Sequence, residues 1–77
     1  MVRNKQGDPR LAFGQAVRKL RLAKGISQEK LAELAEIHRT YIGDVERGKR
    51  NIALLNMTRI ARALGISLTS LIQEMED

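Results

Sequence analysis

The side chains with something to offer chemically are concentrated in one short stretch, 38–51, HRTYIGDVERGKRN. They are hydrogen-bond donors and acceptors rather than a nucleophile with its base or a set of metal ligands. Arg39 can offer a bidentate fork to guanine O6 and N7, and Thr40 a hydroxyl to a base or phosphate and a methyl group to thymine. Tyr41 can reach a phosphate or pack against a methyl group. If Ile42 and Val45 are the inward side of a helix, the 3.6-residue period turns Arg39, Thr40, Gly43, Asp44 and Arg47 outward. That face is short-chained except for its arginines, as a helix entering a groove about 12 Å wide requires. Taken one at a time, each of these residues is most simply an ordinary exposed surface. Their placement together on one short helix, with His38 at its start, is what points to DNA.

The flanking residues extend this surface. Ser27 and Gln28 open the preceding helix, where a side chain or backbone N–H can bond a phosphate. Lys49, Arg50 and Asn51 follow the outward-facing helix as phosphate clamps or as a solvated turn. Gly43 costs about 1 kcal/mol relative to Ala inside a helix. It either leaves room for a base or sugar or is merely tolerated. Asp44 is awkward on a phosphate-facing surface, and two roles stay open: accepting from cytosine N4, or orienting Arg47 or Arg39 through a local ion pair. Glu46, beside the inward Val45, lies partly inward and needs a cation, for which Arg21 is the candidate. That pair is structural, because breaking a buried pair costs roughly 3–5 kcal/mol.

Enzymatic chemistry finds no footing. There is no Cys and a single His among 77 residues, so neither a Cys-based zinc site nor a disulfide framework can form. Glu29, Glu33 and Glu36 read as a solvated helix face rather than carboxylate ligands. No Gly-rich phosphate loop and no nucleophile–base pair is present. The expectation is a protein without catalytic activity, metal, cofactor or small-molecule ligand. The formal charge is +5. Residues 1–50 hold 12 Lys and Arg against 6 Asp and Glu, whereas 51–77 hold 2 against 3. A basic front and near-neutral back suit a polyanion on one side and a protein partner on the other, although charge alone is also compatible with a solvated basic surface. No apolar run approaches the roughly 18 residues of a membrane span, and the N-terminus has no apolar signal core. A cytoplasmic protein is expected.

The elements that must position these residues are all helical. Residues 1–7 are polar and basic and read as a flexible arm, either disordered or touching DNA. Residues 8–77 read as one domain. Asp8-Pro9 is a cap followed by a first-turn proline, opening a helix over Pro9–Lys24 that buries Phe13, Ala16, Val17 and Leu20, and Gly25 closes it. Ser27 caps a second helix over Gln28–Ala35, with Leu31, Ala32, Leu34 and Ala35 available inward. A third begins at His38 or Arg39 and ends at Arg47-Gly48. The fourth is expected over 54–64, burying Leu54, Met57, Ile60, Ala61 and Leu64. The fifth spans about 68–75, with Leu68, Leu71, Ile72 and Met75 on one stripe. Five helices with short loops make a compact all-α bundle. So small a chain buries only a little over roughly 60% of its unfolded surface, and oligomerisation is the expected supplement to its core.

The segment GISQEKLAELAEIHRTYIGDVERGKRN, followed by L..M..IARALGISL..L, resembles the Cro/C1 (Xre-type) helix-turn-helix family over about residues 10–73. Within that family HRTYIGDVERGKRN is most similar to the controller proteins of restriction–modification systems. The resemblance implies a lambda-repressor-like fold and a homodimeric regulator of its own gene and of the endonuclease gene, activating at one operator and repressing at another. It also implies that Gln28 meets the phosphate backbone, that Arg39, Thr40 and Tyr41 make the main DNA contacts, and that Glu46 pairs with Arg21. Two positions depart from the family. Glu36 stands where Gly is usual after the second helix, and Ile52-Ala53 replaces the frequent Pro-Ser before the fourth. A palindromic operator on double-stranded DNA is expected. The dimer contact is expected on helix 5 and the end of helix 4, through Leu55, Leu68, Leu71, Ile72 and Met75. The other reading is an antitoxin or related regulator acting mainly through a protein partner, which a neighbouring toxin gene would favour.

Overall fold

A computed structural model of the chain describes residues 7–76, so the expected N-terminal arm, apart from Gly7, lies outside the described residues. The described residues form five helices and no strand: α1 (Pro9–Lys24), α2 (Gln28–Ala35), α3 (Arg39–Glu46), α4 (Leu54–Ala63) and α5 (Leu68–Glu76). The expected all-α bundle and its boundaries hold to within about a residue.

Local chemistry explains the boundaries. The Asp8 carboxylate accepts from the Arg10 backbone N–H at 2.9 Å and also pairs with the Arg10 guanidinium. The side-chain bond to Arg10, with the backbone bond beside it, holds the Asp8 carboxyl below its ordinary range. Ser27 Oγ accepts from Lys30 N at 2.9 Å and caps α2. Gly25 ends α1 in the left-handed region. Glu36 does the same for α2 with φ 59° and ψ 43°, where a side chain adds strain that glycine would avoid. Ala53 opens α4 without any side-chain cap, the consequence of having no Ser there.

Each helix contributes one fully buried aliphatic residue to the centre: Val17, Leu31, Ile42, Ile60 and Leu71. α1 packs on α3 and α5, and α2 on α3 and α4. A Lys19–Glu74 ion pair of 3.0 Å joins α1 to α5 at the surface. The α1–α3 crossing is close enough that a Cβ on Gly14 would collide with the Val45 carbonyl oxygen and lie 2.8 Å from that of Glu46. Two expected core positions are outside it. Leu54, the first residue of α4, is 67% exposed, and Leu34 on α2 is 45% exposed. Among the described residues no helix is long and apolar enough to cross a membrane.

Candidate DNA interface

α3 is held from behind before it presents anything in front. Ile42 and Val45 are buried, and Glu46 is locked by three hydrogen bonds from two residues. Arg21 Nε donates to Glu46 Oε2 at 2.7 Å and Arg21 Nη2 to Oε1 at 3.1 Å. Gln28 Nε2 adds a bond to the same Oε1 at 2.9 Å. The remaining Arg21 nitrogen, Nη1, donates to the Ile26 carbonyl at 2.8 Å and so fixes the α1–α2 loop. The expected Arg21–Glu46 pair is therefore present and buried, with side chains 8% and 2% exposed. Gln28 as a third member was not read from the sequence, since its partner lies 18 residues away. One N–H and the carbonyl of its amide remain for an external partner.

In front, an open groove between the start of α2 and the outer side of α3 is lined by Arg21, Ser27, Gln28, Glu29, Arg39, Thr40, Gly43 and Arg47. Of the expected set the groove brings together Ser27, Gln28, Arg39, Thr40, Gly43 and Arg47, whereas His38, Tyr41, Asp44 and the connector 49–51 are not part of its lining. Arg39 and Thr40 are exposed at the first turn, and Arg39 stands 3.9 Å from the exposed Glu29 carboxylate. His38 is the cap of α3: its Nδ1 accepts from the Thr40 backbone N–H at 3.1 Å, leaving the other ring nitrogen to face outward.

One expectation needs correction here, and one open alternative is decided. Gly43 is buried, and the room above it is not open for a base. A Cβ there would lie 3.3 Å from Arg47 Nη1 and 3.6 Å from Gln28 Oε1, so the missing side chain seats the Arg47 guanidinium. Asp44 makes the local ion pair expected of it, with Arg47 rather than Arg39. Its Oδ1 accepts from Arg47 Nη2, and its Oδ2 accepts from Arg50 Nε at 3.2 Å, with Arg50 Nη2 in ion-pair range at the same distance. Arg50 also lies over the half-buried Tyr41 ring, with Cζ 4.8 Å from its centroid. Arg50 is consequently anchored to α3, whereas Lys49 and Asn51 beside it are exposed.

Among the expected dimer residues Leu71 needs correction, because it belongs to the core and offers a second copy no surface. Leu71 is fully buried in the core and Leu68, Ile72 and Met75 are half-buried. Leu55, 61% exposed, faces a shallow depression with Leu34, Thr58, Arg59 and Arg62. A second depression runs from Thr58 and Arg62 to Leu68, and a third from Leu68 to Ile72 and Glu76. Because neighbouring depressions share these residues, one face continues from α2 across α4 to α5.

A short capped helix, a tight turn and a second helix whose inner side is locked and outer side polar constitute a helix-turn-helix domain. A helix-turn-helix family model matches residues 17–71. Control protein C.BamHI of Bacillus amyloliquefaciens is 57% identical over 58 residues, covering 74% of this chain and 72% of that protein. Control protein C.MunI of Mycoplasma sp is 40% identical over 70 residues, covering 90% and 95% respectively. The crystal structure of the restriction-modification controller protein C.AhdI from Aeromonas hydrophila superposes with a TM-score of 0.79 at 50% identity, over 80% of this chain and 94% of that one. The chain belongs to the Cro/C1-type helix-turn-helix family of DNA-binding transcription regulators, which are not enzymes, and within it is similar to restriction–modification controller proteins.

Proposed function

We propose that the chain controls a restriction–modification system in the cytoplasm, regulating its own gene and that of the endonuclease as a homodimer on a palindromic operator. The observation that carries the reading is the groove between α2 and α3, which sets Arg39, Thr40, Arg47 and Gln28 around one opening while the Glu46 lock fixes the helix behind it. In this arrangement Arg39 and Thr40 read base edges. Ser27 and Gln28 bond a phosphate at the α2 N-terminus, and the outward His38 nitrogen, Tyr41, Lys49, Arg50 and Asn51 reach the flanking backbone. The continuous face from Leu55 to Ile72 is the surface for the second copy, since it shares no residue with the groove and carries the exposed Leu55 of α4. Two-fold symmetry then places the recognition helices about 34 Å apart, one turn of DNA.

Binding of purified wild-type and variant protein to a duplex selected from a random pool tests this. Replacing Arg39 by Ala is expected to cost about 1–3 kcal/mol on the selected duplex and to relax the preference at one base pair in each half-site, while Lys49→Ala weakens all duplexes alike. Equal loss for Arg39→Ala on selected and scrambled duplexes would remove its base-reading role. A selected sequence without two-fold symmetry would remove the dimer.

A further inference from the structure

Asp44 is a carboxylate on the face assigned to a polyanion, and the fold offers it little reason to be there. It lies in the last turn of an eight-residue helix, where the carbonyl end of the dipole disfavours an anion. Its ion pairs are with Arg47 and Arg50, whose side chains are 57% and 47% exposed, so they contribute little to stability. What the carboxylate does is divide its two oxygens between two arginines from different segments, the end of α3 and the connector. The Tyr41 ring holds Arg50 from its other side, and Gly43 provides the seat for Arg47.

We propose that Asp44 is a specificity-setting residue, a charge clamp that makes Arg47 and Arg50 reach DNA only as an oriented pair with half of their charge cancelled. The inference rests on the DNA-binding reading of this face. Affinity for arbitrary sequence comes almost entirely from phosphates neutralised by cations, with release of their counterions. Two unrestrained arginines would each supply such a contact on any duplex. Bridged by Asp44 they bring a net charge of one, and the carboxylate itself repels a phosphate that approaches too closely. On a random site nothing compensates for this. On the operator, the guanidinium N–H groups not used by Asp44 meet base or backbone acceptors in a fixed orientation, and the ordering of the two long side chains has already occurred in the free protein. The clamp therefore lowers affinity for every duplex but lowers it least on the operator.

The test compares full-length wild-type, Asp44→Asn and Asp44→Glu chains, by fluorescence anisotropy over a range of salt. The probes are a duplex selected from a random pool by the wild-type protein and a scrambled duplex of the same length. Asp44→Asn is expected to bind the scrambled duplex about 3- to 10-fold more tightly, with a slope of log affinity against log salt steeper by about one unit. The ratio between selected and scrambled duplexes should fall severalfold, and Asp44→Glu, which keeps the charge, should retain most of it. Arg50→Gln should weaken scrambled binding more in the Asp44→Asn background than in the wild type. Thermal melting establishes that each variant is folded, and Asp44→Ala is expected to behave as Asp44→Asn does. Unchanged scrambled affinity and slope in Asp44→Asn would overturn the clamp. Loss on the selected duplex alone would overturn it in favour of a direct base contact by Asp44. A wild-type protein with no preference for any duplex would overturn the underlying DNA reading, a result distinct from both.

Discussion

Glu46 and Asp44 stand two residues apart on one helix, and each grips arginine, yet they do opposite work. Glu46 is turned into the molecule, where its side chain is 2% exposed and takes three hydrogen bonds from Arg21 and Gln28. Asp44 is turned out, 21% exposed, and shares two arginines that solvent largely surrounds. The pairing chemistry is the same, so the difference comes from what surrounds it. In the interior a carboxylate deprived of its partner has no water to turn to, and the loss falls on the fold. At the surface water replaces the partner at little cost, and the pair is free to serve recognition. α3 is thereby a fold element on one side and a reading element on the other.

The contrast is broken most directly by Glu46→Ala, which leaves the Arg21 guanidinium buried and unpaired. A loss of roughly 3–5 kcal/mol is expected, visible in urea or thermal denaturation as a fall of well over 10 °C, given about 4–8 °C per kcal/mol for a domain of this size. Asp44→Ala should change stability by less than about 1 kcal/mol. If the two variants melted together, burial would not be what separates them.

Next in size is Gly14→Ala. It adds one carbon where α1 meets the carbonyl oxygens of Val45 and Glu46. Those are backbone atoms at the end of α3 and cannot swing aside as a side chain can. Overpacking of about 1–3 kcal/mol is expected. Because the displaced segment is the one that carries Glu46, DNA affinity should fall with stability, which places this seam on the fold side of the comparison. Retained stability would show that α3 shifts freely and that the lock behind it is loose.

What could be read from the sequence follows from how local each signal is. The caps at Asp8 and Ser27 and the closing Gly25 are decided within a few residues, and the structure has them where they were expected. The Arg21–Glu46 pair could be read because a charge beside the buried Val45 must be compensated. Gly14 could not be read, since a helical glycine looks the same whether it is tolerated or faces another backbone, and only the position of α3 distinguishes the two. Leu54 fits the apolar period of α4 yet is exposed as its first residue, which periodicity alone does not decide. The outward face of α3 was legible as a face, but not as a network. Which arginine Asp44 holds, and what fills the space above Gly43, depend on side chains from α2 and the connector.

A gain in stability should come from Glu36→Gly. At φ 59° a non-glycine residue carries strain of roughly 1–2 kcal/mol, partly offset by the greater unfolded-state freedom of glycine. A net gain near 1 kcal/mol is expected, read as a rise of a few degrees in Tm. The groove's own contacts with DNA should not change, because Glu36 is not part of the groove lining. A change in affinity without a change in stability would mean that the turn belongs to the reading side after all.

The smallest effect is also the most discriminating. Gly43→Ala removes a helix-interior glycine, which favours the folded state by roughly 0.8–1 kcal/mol. The new Cβ would stand 3.3 Å from Arg47 Nη1, the far end of a flexible side chain, which can move by the few tenths of an ångström required. The fold should therefore tolerate the change or gain a fraction of 1 kcal/mol. Arg47, however, loses its seat between Asp44 and Gln28, so affinity for the selected duplex should drop while the melting temperature holds or rises. That opposite movement is what a reading-side position must show. Were stability and affinity to fall together, Gly43 would be a packing residue like Gly14, and the boundary between the two sides of α3 would run further out than the geometry of Asp44 and Arg47 indicates.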